Sequence, residues 1–281
     1  MIRQMSRSEA SAAAALAWAQ CGEMKNRSFP LYASQPLLLR EFENCAARGD
    51  LLGYFEGECL TGVLSRLAIP ADRYLQTTGL YTDSSDPETV LDALLAELER
   101  GQEAMEKYIG VTAENTAASA VLTRRGYQIS ETAQEYRAES EAFHAAGDSV
   151  GSVRVFRENW PAYAAFHDRA YPDIYWTAER LLADLDNWAV YAARRDGAIT
   201  GSLAAKLCGK SGNRELAEVF AWSAPEEQTA RSLLAAFADD LRREPGVRQV
   251  SYFYDGSEPW GENILTNAGF TLRSRYRCWK K

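Results

Sequence analysis

KYIGVTAENTAASAVLTRRGYQI (107–129) and VRQVSYFYDGSEPWGENILTNAGFTL (247–272) follow one plan. Each opens on a β-type run, continues into a helix of about three turns and stops at a glycine followed by an aromatic, Gly126-Tyr127 and Gly269-Phe270. Glycine suits the residue just past a helix, where positive φ is common. Each half then resumes as a strand, YQISETAQEYRA and FTLRSRYRCW.

The correspondence extends upstream. Val90, Leu91, Leu94, Leu95 and Leu98 share one helical face, and Leu233, Leu234, Phe237, Ala238 and Leu241 repeat that phase 143 residues later. Before these helices lie candidate strands, YLQTTGLYT (74–82) and LAEVFAWSA (216–224). Earlier still come two hairpin-like stretches with a repeated motif, Leu60-Thr61-Gly62 and Ile199-Thr200-Gly201. The opening strands are MIRQM and VGSVRVF. The first helix pair lies near SEASAAAALAWA and PLLLREFENCAAR, its counterpart near WPAYAAFHDRAY and TAERLLADL. Each half thus reads strand, two helices, three strands, helix, strand, helix, strand. The spacing is that of a whole domain and too long for a solenoid. A duplication with domains at 1–140 and 150–281 is expected, joined by an aperiodic linker at about 139–151.

Composition bounds the function classes. A formal net charge of −8 disfavours nucleic-acid and anionic-membrane partners. Five cysteines without CxxC spacing, and only two histidines, speak against a disulfide framework, a metal site or a histidine triad in each half. A reducing, cytoplasmic setting is expected. Arg3 and Arg7 precede an alanine-rich run, but Glu9 interrupts the basic stretch, and the run reads as a first amphipathic helix rather than a signal peptide. No apolar run is long enough to span a bilayer.

This order of elements resembles the GNAT acetyltransferases twice over, an α/β (α+β) fold with two tandem domains, each a mixed, mostly antiparallel sheet flanked by helices. The most specific local motif is Val111, Asn115, Ala118, Gly126 and Tyr127; the second half has Glu258 and Gly261 at the Asn and Ala positions. The resemblance implies acetyl-CoA as co-substrate, held where the fourth and fifth strands splay apart. By position, it assigns cofactor contacts to Leu80, Tyr81, Thr82, Ser84, Ser85 and Asn115 in the first half, and to Ser223 and Thr229 in the second. Both phosphate loops, TDSSDPET (82–89) and SAPEEQTA (223–230), lack the family's glycines. Helix-start amides still favour an anion, while capping alone accounts equally for Ser85 or Asp86, and Asn115.

For catalysis the resemblance places a base, Glu218, on the fourth strand of the second half; the first-half counterpart is Gln76. The family's tyrosine acid is replaced by Leu122 and Leu265, leaving Tyr81, Tyr252 and Tyr254 as candidates. The implied activity is acetyl transfer to a small-molecule or peptide amine, without a metal. The Asn-x-x-Ala motif favours the first half for cofactor binding. A non-catalytic acyl-CoA-binding or scaffold protein is the alternative, and a tRNA-dependent aminoacyl transferase is disfavoured by the acidic charge. Acceptor and oligomeric state are not legible.

Overall fold

A computed structural model describes residues 1–144, 151–172, 174–210, 213–244 and 246–281. The first half runs β1 (Ile2–Gln4), α1 (Ala10–Cys21), β2 (Ser28–Phe29), α2 (Gln35–Arg48), β3 (Leu51–Glu56), β4 (Cys59–Ile69), β5 (Tyr74–Thr82), α3 (Pro87–Glu99), β6 (Glu106–Thr112), α4 (Thr116–Arg124) and β7 (Gln128–Glu139). The second runs β8 (Ser152–Arg154), α5 (Trp160–Ala170), α6 (Ala178–Ala183), β9 (Trp188–Arg195), β10 (Ala198–Lys210), β11 (Asn213–Ser223), α7 (Glu227–Leu241), β12 (Gln249–Tyr254), α8 (Gly261–Asn267) and β13 (Thr271–Lys280). The expected element order holds in both halves, with β2 as an addition that the sequence pattern did not signal.

The chain forms two compact units that do not follow a linear division. Unit 1 comprises Met1–Ala133 with Ser274–Lys281, and unit 2 comprises Gln134–Arg273. The cause lies in the final strand of each half. Tyr276–Lys280 of β13 pairs antiparallel with Thr112–Tyr108 of β6, so the C-terminus closes the first sheet. Gln134–Glu139 of β7 pairs antiparallel with Tyr254–Gln249 of β12 and closes the second. The linker expected at about 139–151 falls partly on residues 145–150, which lie outside the described residues.

In unit 1 the strands run β1, β3, β4, β5, β6, β13, antiparallel except for the β5–β6 pair. Period-2 alternation sends successive residues of β4 to opposite faces. Leu64 joins Val90, Leu94, Val121 and Leu122 under α3 and α4, while Val63 joins Leu38, Phe42 and Ala14 under α1 and α2. Unit 2 runs β7, β12, β11, β10, β9, β8, again with one parallel pair, β11–β12. Leu203, Leu233 and Phe237 pack on its α7 face, and Val190, Trp188 and Tyr163 on its α5 face.

The repeated Thr-Gly motif has a steric reason. A Cβ at Gly62 would lie 2.4 Å from Val90 Cγ1 in α3. At Gly201 it would lie 2.8 Å from Ser223 O and 3.0 Å from Thr229 Cγ2 in α7. In both units the glycine lets the helix that follows the hairpin strands sit down on the sheet. Gly126 and Gly269 take φ of +81° and +90°, as helix ends of this type require.

Candidate active site

Both sheets part at the same place. In unit 1 the parallel register covers only Tyr74–Gln76 against Glu106–Tyr108. In unit 2 it covers Leu216–Val219 against Gln249–Tyr252. A one-residue bulge marks each opening: Thr78 is the extra residue between Ser65–Gly79 and Arg66–Thr77, and Phe220 between Ala204–Ala221 and Ala205–Val219. Bulges bend a strand and re-aim it, which opens a wedge between β5 and β6 and another between β11 and β12. Gln76 and Glu218 each sit two residues before the bulge, so the sequence correspondence between them is structural.

The wedge of unit 1 is filled by its own chain. Ser28 and Phe29 of β2 pair with Val111 and Gly110 of β6, and both side chains are buried. Tyr81 Oη donates to Ser28 O at 3.0 Å, and Tyr32 Oη donates to Thr78 O at 3.0 Å. Phe29 meets Tyr276 edge-on at 4.9 Å. A Cβ at Gly110 would lie 2.9 Å from Phe29 Cβ, so glycine is what admits the inserted segment. Asn115 is used at both ends: Oδ1 accepts from Ala118 N at 3.0 Å, capping α4, and Nδ2 donates to Arg27 O at 3.3 Å. Asn115→Ala should therefore lower folding stability by about 1–2 kcal/mol through a lost cap on Ala118 N and a lost bond to Arg27 O, which keeps Thr112 N, and leave any acetyl-CoA affinity unchanged. Urea melts and calorimetry check this; a loss of affinity with unchanged stability would return the cofactor to unit 1.

The remaining first-half candidates serve the local fold. Leu80 is buried in the α3–α4 core. Thr82 Oγ1 donates to Thr61 O at 2.6 Å and accepts from Ser84 N at 3.1 Å. Ser84 Oγ bonds Glu56 at 3.1 Å and accepts from Asp86 N at 3.2 Å, while Ser85 is exposed. Asp86 caps α3, accepting from Thr89 N at 3.3 Å and from Thr89 Oγ1 at 2.6 Å. These bonds hold its carboxyl below the usual range, so it stays anionic. The groove at the starts of α3 and α4 is lined by Asp86, Glu88, Thr89, Thr116 and Arg124, and Arg124 is paired with Glu88 at 3.1 Å. A diphosphate would meet charges of its own sign there. The filled wedge and the acidic groove oppose a diphosphate-bearing ligand in unit 1.

Unit 2 differs in each respect. Glu226, the residue before α7, makes no side-chain cap and instead pairs with Arg195. Glu227 pairs with Arg231 at 2.5 Å. The first amides of α7 are thus not capped by a side chain, and the two nearby acids are neutralised. Thr229 lies in that first turn against Gly201, and Ser223 ends β11, half-buried. Beyond Val219 the backbone of β11 has no ladder partner on β12. On the α7–α8 side, Trp222 packs against Tyr252 and Trp260, each at 5.5 Å.

Glu218 occupies the opposite face. Cross-strand register sets Trp188, Lys206, Glu218, Ser251 and Arg137 in one row across β9, β10, β11, β12 and β7. Burial pushes the Glu218 carboxyl up to about 7, against the pull of Arg137 and Lys206 and with Glu135 adding to the rise. Arg137 is itself held by buried Glu135 at 2.5 Å, which limits its help to Glu218. The buried Tyr171 hydroxyl lies near Ser202 of β10 and Ser223 at the end of β11. His167 is structural: Nε2 donates to Trp176 O at 2.8 Å, so Nδ1 accepts from Tyr163 Oη at 3.0 Å.

Glu218 has a measurable thermodynamic signature. The folded carboxyl keeps its proton to about pH 7, above its ordinary value of 4.5, so the folded state binds more protons in that interval. Stability is then fullest below pH 4.5 and falls as pH rises through about 7. Glu218→Gln should match the parent near pH 4 and exceed it at pH 8 by at most about 3 kcal/mol. Urea melts at the two pH values check this, and an equal gap at both would show that the carboxyl is not perturbed.

Lys206, Arg137, Tyr171 and β2 were not singled out in the sequence. Among the described residues no group of three or more His, Cys, Asp or Glu side chains could hold a metal, and no helix is long and apolar enough to cross a membrane.

No protein-family model matches the sequence, and no curated protein does. Solved structures do match. A GCN5-related N-acetyltransferase from Sphaerobacter thermophilus superposes with a TM-score of 0.72 at 17% identity, covering 100% of this chain and 95% of that one. A tandem GNAT protein from the clavulanic acid biosynthesis pathway gives 0.64 at 15% identity, covering 100% and 98%. A GCN5-related N-acetyltransferase from Kribbella flavida gives 0.57 at 13%, covering 97% and 95%. The chain has the tandem GNAT fold.

Proposed function

We propose that this chain is an N-acetyltransferase whose chemistry is confined to unit 2, acting on a small-molecule or peptide amine. The observation that carries this reading is Glu218, a half-buried carboxyl poised near neutrality two residues before the bulge that opens the wedge. A base of this kind accepts the proton of an alkylammonium at physiological pH without being permanently ionised. The β12-facing side of the Phe220–Ser223 backbone, which has no ladder partner there, and the first turn of α7 are the groups that would hold the pantetheine arm and the diphosphate. Acetyl-CoA supplies the activated thioester. The self-filled wedge of unit 1 supports a structural role for that half.

A second reading is favoured by one observation: Trp222 and Trp260 cover the α7–α8 side of the unit 2 wedge, as in a protein that binds without turnover. Calorimetric titration with acetyl-CoA, followed by thiol-release assays over a panel of amines, separates the two. One site per chain with thiol release supports the enzyme. Binding without release from any amine supports the second reading, and absence of binding overturns both.

A further inference from the structure

Phe220, the bulge residue of β11, forms a three-ring box with Trp176 and Trp188. The ring centroids are 5.0 Å apart for Trp176–Trp188, 5.9 Å for Trp176–Phe220 and 5.6 Å for Trp188–Phe220, all at steep interplanar angles. Such boxes take alkylammonium groups, whose charge is drawn to the ring faces. One is already present. Lys206 Nζ stands 4.0 Å from the Trp176 centroid and 5.6 Å from that of Trp188, with Asp184 Oδ2 at 3.8 Å.

Lys206 is also the direct cross-strand partner of Glu218. Opposed residues of this kind have Cβ atoms roughly 4.5–5.5 Å apart on one face. The side chain is 27% exposed, so it is not sealed in the core. Cation attraction alone does not call for lysine here, because arginine stacks on rings at least as well. Within unit 2 the other such contacts among the described residues are made by Arg154, Arg169 and Arg180. Lysine adds an amine that can lose its proton and become a nucleophile.

We infer that Lys206 is itself an acetyl acceptor, modified by the site in which it stands. This rests on the acetyltransferase reading of unit 2. The Nζ ammonium gives one proton to the Glu218 carboxylate, and its lone pair forms a bond to the thioester carbonyl carbon. The C–S bond breaks, the sulfur leaves with the bonding pair, and it takes the second nitrogen proton to become the free thiol. The product is a neutral amide over Trp176, which removes one positive charge from beside Glu218.

The chain has only six lysines, so peptide mapping resolves every candidate. The full-length protein is incubated without added amine in two arms, one with acetyl-CoA and one with S-acetyl-N-acetylcysteamine, a thioester lacking the nucleotide. In the second arm Lys206 should be acetylated on the order of 10²-fold faster than Lys25, Lys210 or Lys281, the advantage a positioned base gives. Glu218→Gln should remove that excess, and Lys206→Arg, which keeps the cation on the rings, should show no label at position 206. Labelling of Lys206 by the small thioester but not by acetyl-CoA would sustain the inference and overturn the acetyl-CoA reading. Lys206 reacting no faster than the other lysines in either arm would overturn the inference, even if added amines are acetylated.

Discussion

Replacement of Glu218 by glutamine is expected to lower kcat for amine acetylation on the order of 10²-fold or more, while acetyl-CoA affinity changes little. Glutamine keeps the shape of the side chain in its row between Lys206 and Ser251 and removes only the ability to take a proton. The parent should gain activity as pH rises through about 7, where the half-buried Glu218 carboxyl ionises. The variant should lack that step and follow only the deprotonation of the acceptor amine, so that part of its deficit is recovered at high pH. A strand glutamate with no catalytic part could be exchanged within about 0.5 kcal/mol. The pH–rate profile therefore decides: an unchanged profile in the variant removes Glu218 from the reaction. The stability comparison guards the conclusion, since a variant more stable than the parent at pH 8 cannot owe its slowness to unfolding.

The fold was legible because its signals are local and doubled. The apolar phase of Val90–Leu98 and Leu233–Leu241, the glycine-aromatic helix ends and the Thr-Gly motifs each follow from packing or backbone demands that act within a few residues. The destination of β7 and β13 was not legible, because an alternating strand reads the same whichever sheet edge it closes. The wedge filling of unit 1 was hidden for a related reason. Ser28 and Phe29 form a strand of two residues, too short for periodicity to register. The equivalence of Gln76 and Glu218 could be read because each is the third residue of its candidate strand, 74–82 and 216–224. What Asn115 does could not, since the spacing that suits a cofactor contact also suits a helix cap, and the choice depends on Arg27 lying 88 residues away. Lys206 and Arg137 come beside Glu218 only through cross-strand register, which a single sequence does not supply.

Phe29→Ala should destabilise unit 1 by about 3–5 kcal/mol, the usual loss for a truncated buried phenylalanine. The ring is 3% exposed, sits edge-on to Tyr276 and lies over Gly110, so its removal leaves a cavity that a glycine on β6 cannot fill. The backbone of the inserted segment is anchored independently, with Tyr81 Oη on Ser28 O and both Thr112 N and Asn115 Nδ2 on Arg27 O. The segment should therefore stay in place even without the ring. The expected result is a lower unfolding midpoint, an unchanged kcat per folded molecule, and one acetyl-CoA per chain in calorimetry, as in the parent. A loss under about 1 kcal/mol would mean that Phe29 is not the packed element described here. A second acetyl-CoA site appearing in the variant would show that the wedge of unit 1 retains a latent cofactor site that β2 merely covers. Where the alanine variant fails to fold, Tyr81→Phe tests the same contact more gently. It deletes the bond to Ser28 O and should cost about 1 kcal/mol, again with no gain in acetyl-CoA stoichiometry.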